Sequence, residues 1–202
     1  MEKAGRVVLL SGGVDSAVCL ALAKATGGAV FPLFVDYGQL AAPWEQKAAI
    51  AMCLRIGCPL PSIITLRASF LNCGAAIQGM PIGYVPGRNL ILLALAVGLA
   101  ERRRASRIII GTNVVDTTGV TDTNESFLRA AMATANLCRP PSLEGVTIEY
   151  PLQHLSKKEI FALARNLDVP IGETISCYAP ENDGAACGKC GGCTLRMKGE
   201  GE

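Results

Sequence analysis

Two stretches of this sequence carry residue types and spacings suited to chemistry. The first is Ser11-Gly12-Gly13-Val14-Asp15-Ser16. Two glycines let a backbone pass close to a ligand, successive free N–H groups form an anion nest, and a helix N-terminus behind them adds partial positive charge. Phosphate or pyrophosphate is the natural guest. Ser11 and Ser16 can donate hydroxyl hydrogen bonds to phosphoryl oxygens, while Asp15 can hold Mg²⁺ or cap the helix. The string lacks the Gly-Lys-Ser/Thr ending of a Walker A loop. A bare Gly-Gly turn with Asp15 or Ser16 as N-cap is the plain alternative, but the flanking sequence favours the nucleotide reading.

The second stretch is Cys177, Cys187, Cys190 and Cys193, in the order C-x9-C-x2-C-x2-C. Four thiolates converging from a glycine-rich loop suit tetrahedral Zn²⁺, and four protein ligands leave no open position, so the metal is expected to be structural. A cubane iron–sulfur cluster can also use C-x2-C-x2-C; zinc is the preferred expectation. Gly188, Lys189, Gly191 and Gly192 form no apolar face, which argues against ordinary packing cysteines. The other five, Cys19, Cys53, Cys58, Cys73 and Cys138, are scattered, and Cys19 and Cys53 read as core thiols.

Three weaker groups accompany these. Asp36-Tyr37-Gly38-Gln39 follows an apolar run and so sits at the ligand edge, although taken alone Asp36 is more often a turn residue. Tyr84-Val-Pro-Gly-Arg88-Asn89 precedes a long apolar helix, and the rigid fork of Arg88 suits phosphate or carboxylate oxygens; a solvated cap with a glycine turn is its bland reading. Gly111-Thr112-Asn113 ends another apolar run, with Asp116 and Asp122 in the loop beyond.

The elements that must position these groups alternate. Arg6 to Leu10, Ala29 to Val35, Ser62 to Leu66, Arg107 to Ile110 and Val146 to Tyr150 read as strands. Ser16 to Lys24, Trp44 to Ile56, Asn89 to Arg103, Asn124 to Leu137 and Ser156 to Leu167 read as helices. Gly27-Gly28 supplies a helix stop, and Ser156-Lys-Lys-Glu159 has capping-box spacing. Such alternation implies a mainly parallel sheet covered on both faces, with ligands at the carboxyl ends of its strands. Residues 70 to 88, rich in Gly and Pro, are expected to form an irregular loop. The composition shifts again from Ile171 onward, dividing the chain into a nucleotide-binding domain over 1–170 and a cysteine-rich metal segment over 171–202.

Composition narrows the function further. The 202 residues hold 19 Lys and Arg against 17 Asp and Glu, a formal charge of +2, which argues against nucleic acid as a direct partner. The single histidine, His154, removes Ser-His-Asp triads and multi-His metal centres. The densest basic run, Arg102-Arg-Arg104, reads as a solvated helix end. Leu90 to Ala100, the longest apolar stretch, is about half of the ~20 residues needed to cross a bilayer and reads as a buried helix. Met1 to Leu10 lacks signal-peptide character, so no membrane and a cytoplasmic location are expected.

The Ser-Gly-Gly-Val-Asp-Ser string resembles the signature of the ATP pyrophosphatase family. Taken in order with Tyr37-Gly-Gln39, Tyr84–Asn89, Gly111–Asn113 and the terminal Cys-Gly-Lys-Cys-Gly-Gly-Cys-Thr-Leu-Arg, the chain resembles the 7-cyano-7-deazaguanine synthase family over residues 5 to 196. The resemblance implies a Rossmann-like parallel sheet of the adenine nucleotide alpha hydrolase type flanked by helices, with a small C-terminal zinc-binding appendix. It also implies a ligase that converts 7-carboxy-7-deazaguanine and ammonia to the nitrile with two ATP, Mg²⁺ and a structural Zn²⁺.

On this reading Asp15, Ser16 and Arg88 are the catalytic candidates. Leu10, Ser11, Gly12, Gly13, Val14, Asp15, Ser16, Ala17, Asp36 and Gly111 are those for ATP. Tyr37, Gln39, Arg88, Asn89, Asn113, Asp116 and Asp122 are those for the acid, with Asp122 accepting from paired N–H donors of a guanine-like edge. Two departures mark a divergent member. Leu40-Ala41 stands where the family commonly has Arg-His, and Val120-Thr-Asp122-Thr-Asn124 stands where it commonly has Tyr-Pro-Asp-Cys-Arg. The expected partners are a small acid and ammonia, with a homodimer as a possible assembly. The alternatives are a paralogue that hands the activated acid to another amine such as a protein terminus, a tRNA-thiolating enzyme, and a nucleic-acid-binding zinc module.

Overall fold

The computed structural model describes residues 4–67, 71, 84–113 and 121–201. Five strands, β1 (Arg6–Leu9), β2 (Val30–Asp36), β3 (Ser62–Thr65), β4 (Arg107–Ile109) and β5 (Thr147–Glu149), form one sheet in the order β3-β2-β1-β4-β5. Every pairing is parallel, with Val8 level with Pro32 on one side and Ile109 on the other. The chain winds outward from β1 through β2 to β3, then returns across the sheet to β4. The loops after β1 and β4 therefore leave in opposite directions and open a crevice at the carboxyl edge. The expected alternation and the parallel, helix-flanked sheet are both present.

Period-two alternation along β1 explains the two cores. Val8 and Leu10 pack with α1 (Val14–Ala25), α2 (Ala42–Ile56) and α5 (Lys157–Asn166) on one face. Val7 and Leu9 pack with α3 (Arg88–Arg103) and α4 (Glu125–Cys138) on the other. Cys19 and Cys53 lie in the first core, as the apolar surroundings suggested. α2 begins two residues ahead of expectation because Pro43 lies in its first turn, where a missing N–H costs nothing. The capping box of α5 forms in full, Ser156 and Glu159 each answering the other's backbone N–H.

Two expectations need correction. α3 is not buried all round: Leu93, Ala96 and Ala100 face the core while Leu90 is 55% exposed. One stripe of the helix meets the sheet, and its apolar length does not imply burial on every side. The cysteine-rich tail also contains a helix, α6 (Gly191–Glu200), that the glycine content hid. α6 packs against α5, and Gly199 is what permits it, since a Cβ there would lie 2.4 Å from the ring of Phe161. The Arg196 guanidinium donates to the carbonyls of Ile171 at 2.9 Å and Thr174 at 3.1 Å, tying the helix to the preceding segment. Among the described residues no helix is long and apolar enough to cross a membrane.

Candidate functional site

The Ser11–Ser16 loop turns between β1 and α1 at the crevice. Gly13 is the N-cap of α1 and no side chain caps it, so Asp15 and Ser16 do not take the capping role that a plain turn would give them. The Ser16 hydroxyl instead donates to the Gly13 carbonyl at 2.9 Å and accepts from the Ser11 N–H at 3.2 Å, holding the loop closed upon itself. Gly12 has φ +81°, and a Cβ there would lie 2.5 Å from the Glu45 carbonyl. The loop therefore presses against α2 at a spacing only glycine allows. Behind it, the Gly12 carbonyl accepts from the Ile175 N–H at 3.0 Å, which fastens the tail to the nest.

Asp15 is partnered from two distant elements. Its Oδ2 accepts from Asn113 Nδ2 at 3.0 Å and from Lys157 Nζ. Lys157 was not anticipated, because Ser156-Lys-Lys-Glu159 reads as a helix start and nothing more. A signal was present all the same: Lys157 is the first residue of α5, where a cation opposes the helix dipole and needs another reason to be there. Its side chain is only 14% exposed, against 22% for Asp15, so the ammonium is a sheltered positive charge beside the nest.

These groups open onto a cavity of about 420 Å³. From the candidates, Leu10, Ser11, Gly13, Val14, Asp15 and Ser16 line one side, with Gly111 beside them. Tyr37, Gln39, Arg88, Asn89 and Asp122 line the other. Gly12 lies behind the loop against α2, and Ala17 and Asn113 are wholly buried, Asn113 meeting the site through Asp15. Asp36 stands outside the cavity beside a shallow depression on α2, with its carboxylate accepting from the Gly38 N–H at 3.0 Å, as its turn reading had it. Asp116 lies outside the described residues.

The far wall is polar and interlocked. Asp122 accepts from the Asn89 N–H at 3.2 Å through Oδ2, and its carbonyl accepts from Asn89 Nδ2 at 3.1 Å. Its other oxygen, Oδ1, is buried without a hydrogen-bond partner among the described residues. A buried carboxylate oxygen left this way carries a substantial desolvation cost. Burial alone pulls the Arg88 guanidinium down, but Tyr37, which shares a side-chain hydrogen bond with it, and the nearby Asp122 outweigh that effect and raise its pKa. The guanidinium is thus a fixed cation. Glu45, also missed from sequence because it lies inside a helix, lines the same cavity. Burial pushes its pKa up, and this is only partly offset by a hydrogen bond from Gln39 and the charge of Arg88.

The four cysteines of the tail converge, with all sulfurs within 4.8 Å of one another. Cys190 Sγ lies 3.9 Å from Cys177 and 3.5 Å from Cys193, while Cys187 lies 4.0 Å from Cys193. A metal ion fits this donor set. Backbone N–H groups of Lys189 and Cys190 pull Cys187 down to about 6, whereas burial, together with side-chain hydrogen bonding to Cys190 and Cys177, pushes Cys193 up to about 12. Thiols this close cannot all ionise without a cation among them. Gly192 allows the knuckle to close, since a Cβ there would lie 1.9 Å from the Ser176 carbonyl. The knuckle matters to the crevice because Ile175, Ser176, Tyr178, Gly192, Leu195 and Arg196 form part of the cavity wall.

The family model described as queuosine biosynthesis protein QueC matches residues 5–201. The chain is 39% identical to a 7-cyano-7-deazaguanine synthase of Thiobacillus denitrificans, covering 96% of this chain and 92% of that protein. It is 40% identical to a 7-cyano-7-deazaguanine synthase of Alcanivorax borkumensis, covering 98% and 94%. Two solved structures share the fold. They are the U34-tRNA thiolase NcsA from Methanococcus maripaludis with its [4Fe-4S] cluster, at TM-score 0.58 and 16% identity over 98% of this chain and 64% of that one, and an NH3-dependent NAD synthetase from Campylobacter jejuni, at TM-score 0.53 and 21% identity over 84% and 66%.

Proposed function

Since the chain belongs to the QueC family of queuosine biosynthesis proteins, we propose that it is an ATP-dependent ligase converting 7-carboxy-7-deazaguanine and ammonia to 7-cyano-7-deazaguanine. The observation that carries the proposal is one cavity with two unlike walls. On one side lie an uncapped helix start, the Ser11–Ser16 nest and the Lys157 ammonium; on the other lie the Arg88 cation and the Asp122 and Asn89 side chains. The first wall suits the diphosphate of ATP, and the second suits a carboxylate that also bears a guanine-like N–H edge.

A carboxylate resists ammonia because its oxygen is a poor leaving group. The carboxyl oxygen therefore attacks the α-phosphorus of ATP, pyrophosphate departs, and the nest and Lys157 stabilise the leaving anion. Ammonia adds to the acyl carbon and AMP leaves with the oxygen, giving the amide. The amide oxygen then displaces pyrophosphate from a second ATP, and loss of AMP and the remaining N–H protons yields the nitrile. The protein's part is orientation and charge stabilisation, so no nucleophilic side chain is required. Asp15 offers a hard oxygen for Mg²⁺, which when bound offsets the charge of the phosphates. A tetrahedral ion with Zn–S bonds of about 2.3 Å sets sulfurs about 3.8 Å apart, close to the spacings above. A cubane, binding each thiolate through a separate iron, needs a wider tetrahedron. This supports zinc at the four cysteines.

The test is incubation with ATP, Mg²⁺, the carboxy-deazaguanine and ammonium, following AMP, pyrophosphate and the organic product by mass spectrometry. Two AMP per nitrile is the expected result. AMP with an amide or a protein adduct and no nitrile supports instead a paralogue that transfers the acid to another amine. No acid-dependent AMP overturns both.

A further inference from the structure

Nothing in the chemistry above uses Glu45, a carboxylate facing the ligand cavity. α2 carries it to the junction of the two walls. Its backbone carbonyl lies against Gly12 of the nest, and its side chain reaches the Tyr37-Gly38-Gln39 turn, where Gln39 Nε2 donates to its Oε2 at 2.8 Å. That amide is itself fixed, since Gln39 Nε2 also donates to the Val35 carbonyl at 3.2 Å and Gln39 Oε1 accepts from the Tyr37 N–H at 2.9 Å. The one hydrogen bond described for the Glu45 carboxylate is that from Gln39, and Glu45 is among the residues that line the cavity. The charged groups acting on Glu45 are Arg88 from α3 and Asp36 from the end of β2.

We infer that Glu45 is the ammonium-binding residue of this site and accepts the proton that converts ammonium to the nucleophile ammonia, an inference that rests on the proposed ligase reaction. At neutral pH dissolved ammonia is almost entirely ammonium, which has no lone pair with which to attack. A carboxylate beside the nest attracts the cation to the place where the acyl adenylate forms. One N–H proton passes from ammonium to the Glu45 carboxylate, and the released lone pair forms the C–N bond as the C–O bond to AMP breaks. The added nitrogen loses its second proton to solvent, and protonated Glu45 returns its own to solvent before the amide is adenylated. Burial strengthens Glu45 as a base relative to an exposed glutamate.

Hydroxylamine separates this role from a structural one, because it is largely unprotonated at neutral pH and needs no base. Wild type, Glu45→Gln and Glu45→Asp are assayed at pH 7 with each nucleophile, and with ammonium up to pH 9. For Glu45→Gln the expected result is a tenfold or greater rise in KM for ammonium at pH 7. Its hydroxylamine-to-ammonium turnover ratio also rises at least tenfold, and ammonium turnover recovers toward pH 9; Glu45→Asp restores part of the loss. The ratio is internal to each preparation, so misfolding lowers both rates and leaves it unmoved. A ratio for Glu45→Gln equal to that of wild type overturns the inference alone. Wild type that forms no AMP with the acid removes the ligase reading and this inference with it.

Discussion

Gly12→Ala tests whether the nest depends on its close approach to α2 or merely on a turn. Two costs arise in this variant. An alanine held at φ +81° pays about 1–2 kcal/mol for a left-handed backbone. Its Cβ also starts 2.5 Å from the Glu45 carbonyl, 3.0 Å from the Ala48 Cβ and 3.2 Å from the Ala49 N. These are mainly backbone atoms of a packed helix, so overpacking adds about 1–3 kcal/mol. Gly57→Ala is the control. Gly57 has φ +70° with nothing within 4 Å of a built Cβ, and as the C-cap of α2 it sits at the opposite edge of the sheet from the crevice. It should lose only the backbone cost. Urea unfolding should therefore place Gly12→Ala about 1–3 kcal/mol below Gly57→Ala. Relieving the clash moves the loop by roughly half an ångström or more, so pyrophosphate release should fall about 10- to 100-fold in Gly12→Ala alone. Equal stability losses in the two variants, with pyrophosphate release within about twofold of wild type, would refute the close-approach argument.

Three further outcomes follow from the same geometry. Removing the metal from the four cysteines with a chelator should free the 171–200 segment, lower the melting midpoint and abolish nucleotide binding while far-UV circular dichroism keeps the signal of the sheet; zinc should restore binding, and a chelated protein that still binds nucleotide contradicts the wall assigned to the tail. Lys157→Met leaves Asp15 with Asn113 as its partner and removes the sheltered cation, so pyrophosphate release should fall about 10- to 100-fold, a loss of about 1.4–2.7 kcal/mol in the barrier; isothermal titration with Mg·ATP should show weaker binding. Glu45 binds its proton more tightly folded than unfolded, so it favours folding below its ordinary pKa and that contribution is lost as pH rises through the raised value. Urea melts at pH 4 and pH 7 should accordingly show the stability of Glu45→Gln relative to wild type improving toward pH 7, and a pH-independent difference argues against the shift.

Much of this molecule is legible in short-range pattern. The apolar runs ended by turn residues specify five strands, and Ser156 with Glu159 specifies the start of α5, because each depends on neighbours within a few positions. Ser11–Ser16 and the four cysteines are readable for the same reason: a nest and a metal knuckle are built mainly from one contiguous segment. α6 escaped that logic. Its place is set by Gly199 against Phe161 and by Arg196 reaching back to Ile171 and Thr174, contacts that leave no periodic trace in the helix.

The partners of the nest are also beyond local pattern. Asp15 meets Asn113 across 98 positions and Lys157 across 142, and Glu45 turns from an ordinary helical glutamate into a cavity carboxylate only because α2 packs on Gly12. The residue types that bind phosphate, metal and a small acid were present in the linear order, whereas which charges neutralise one another, which oxygen is left unpartnered and which side of a helix faces the ligand came from folding. Sequence neighbours set backbone conformation, but burial and electrostatic pairing are properties of distance in space, and the crossover from β3 to β4 is what brings these distant groups together.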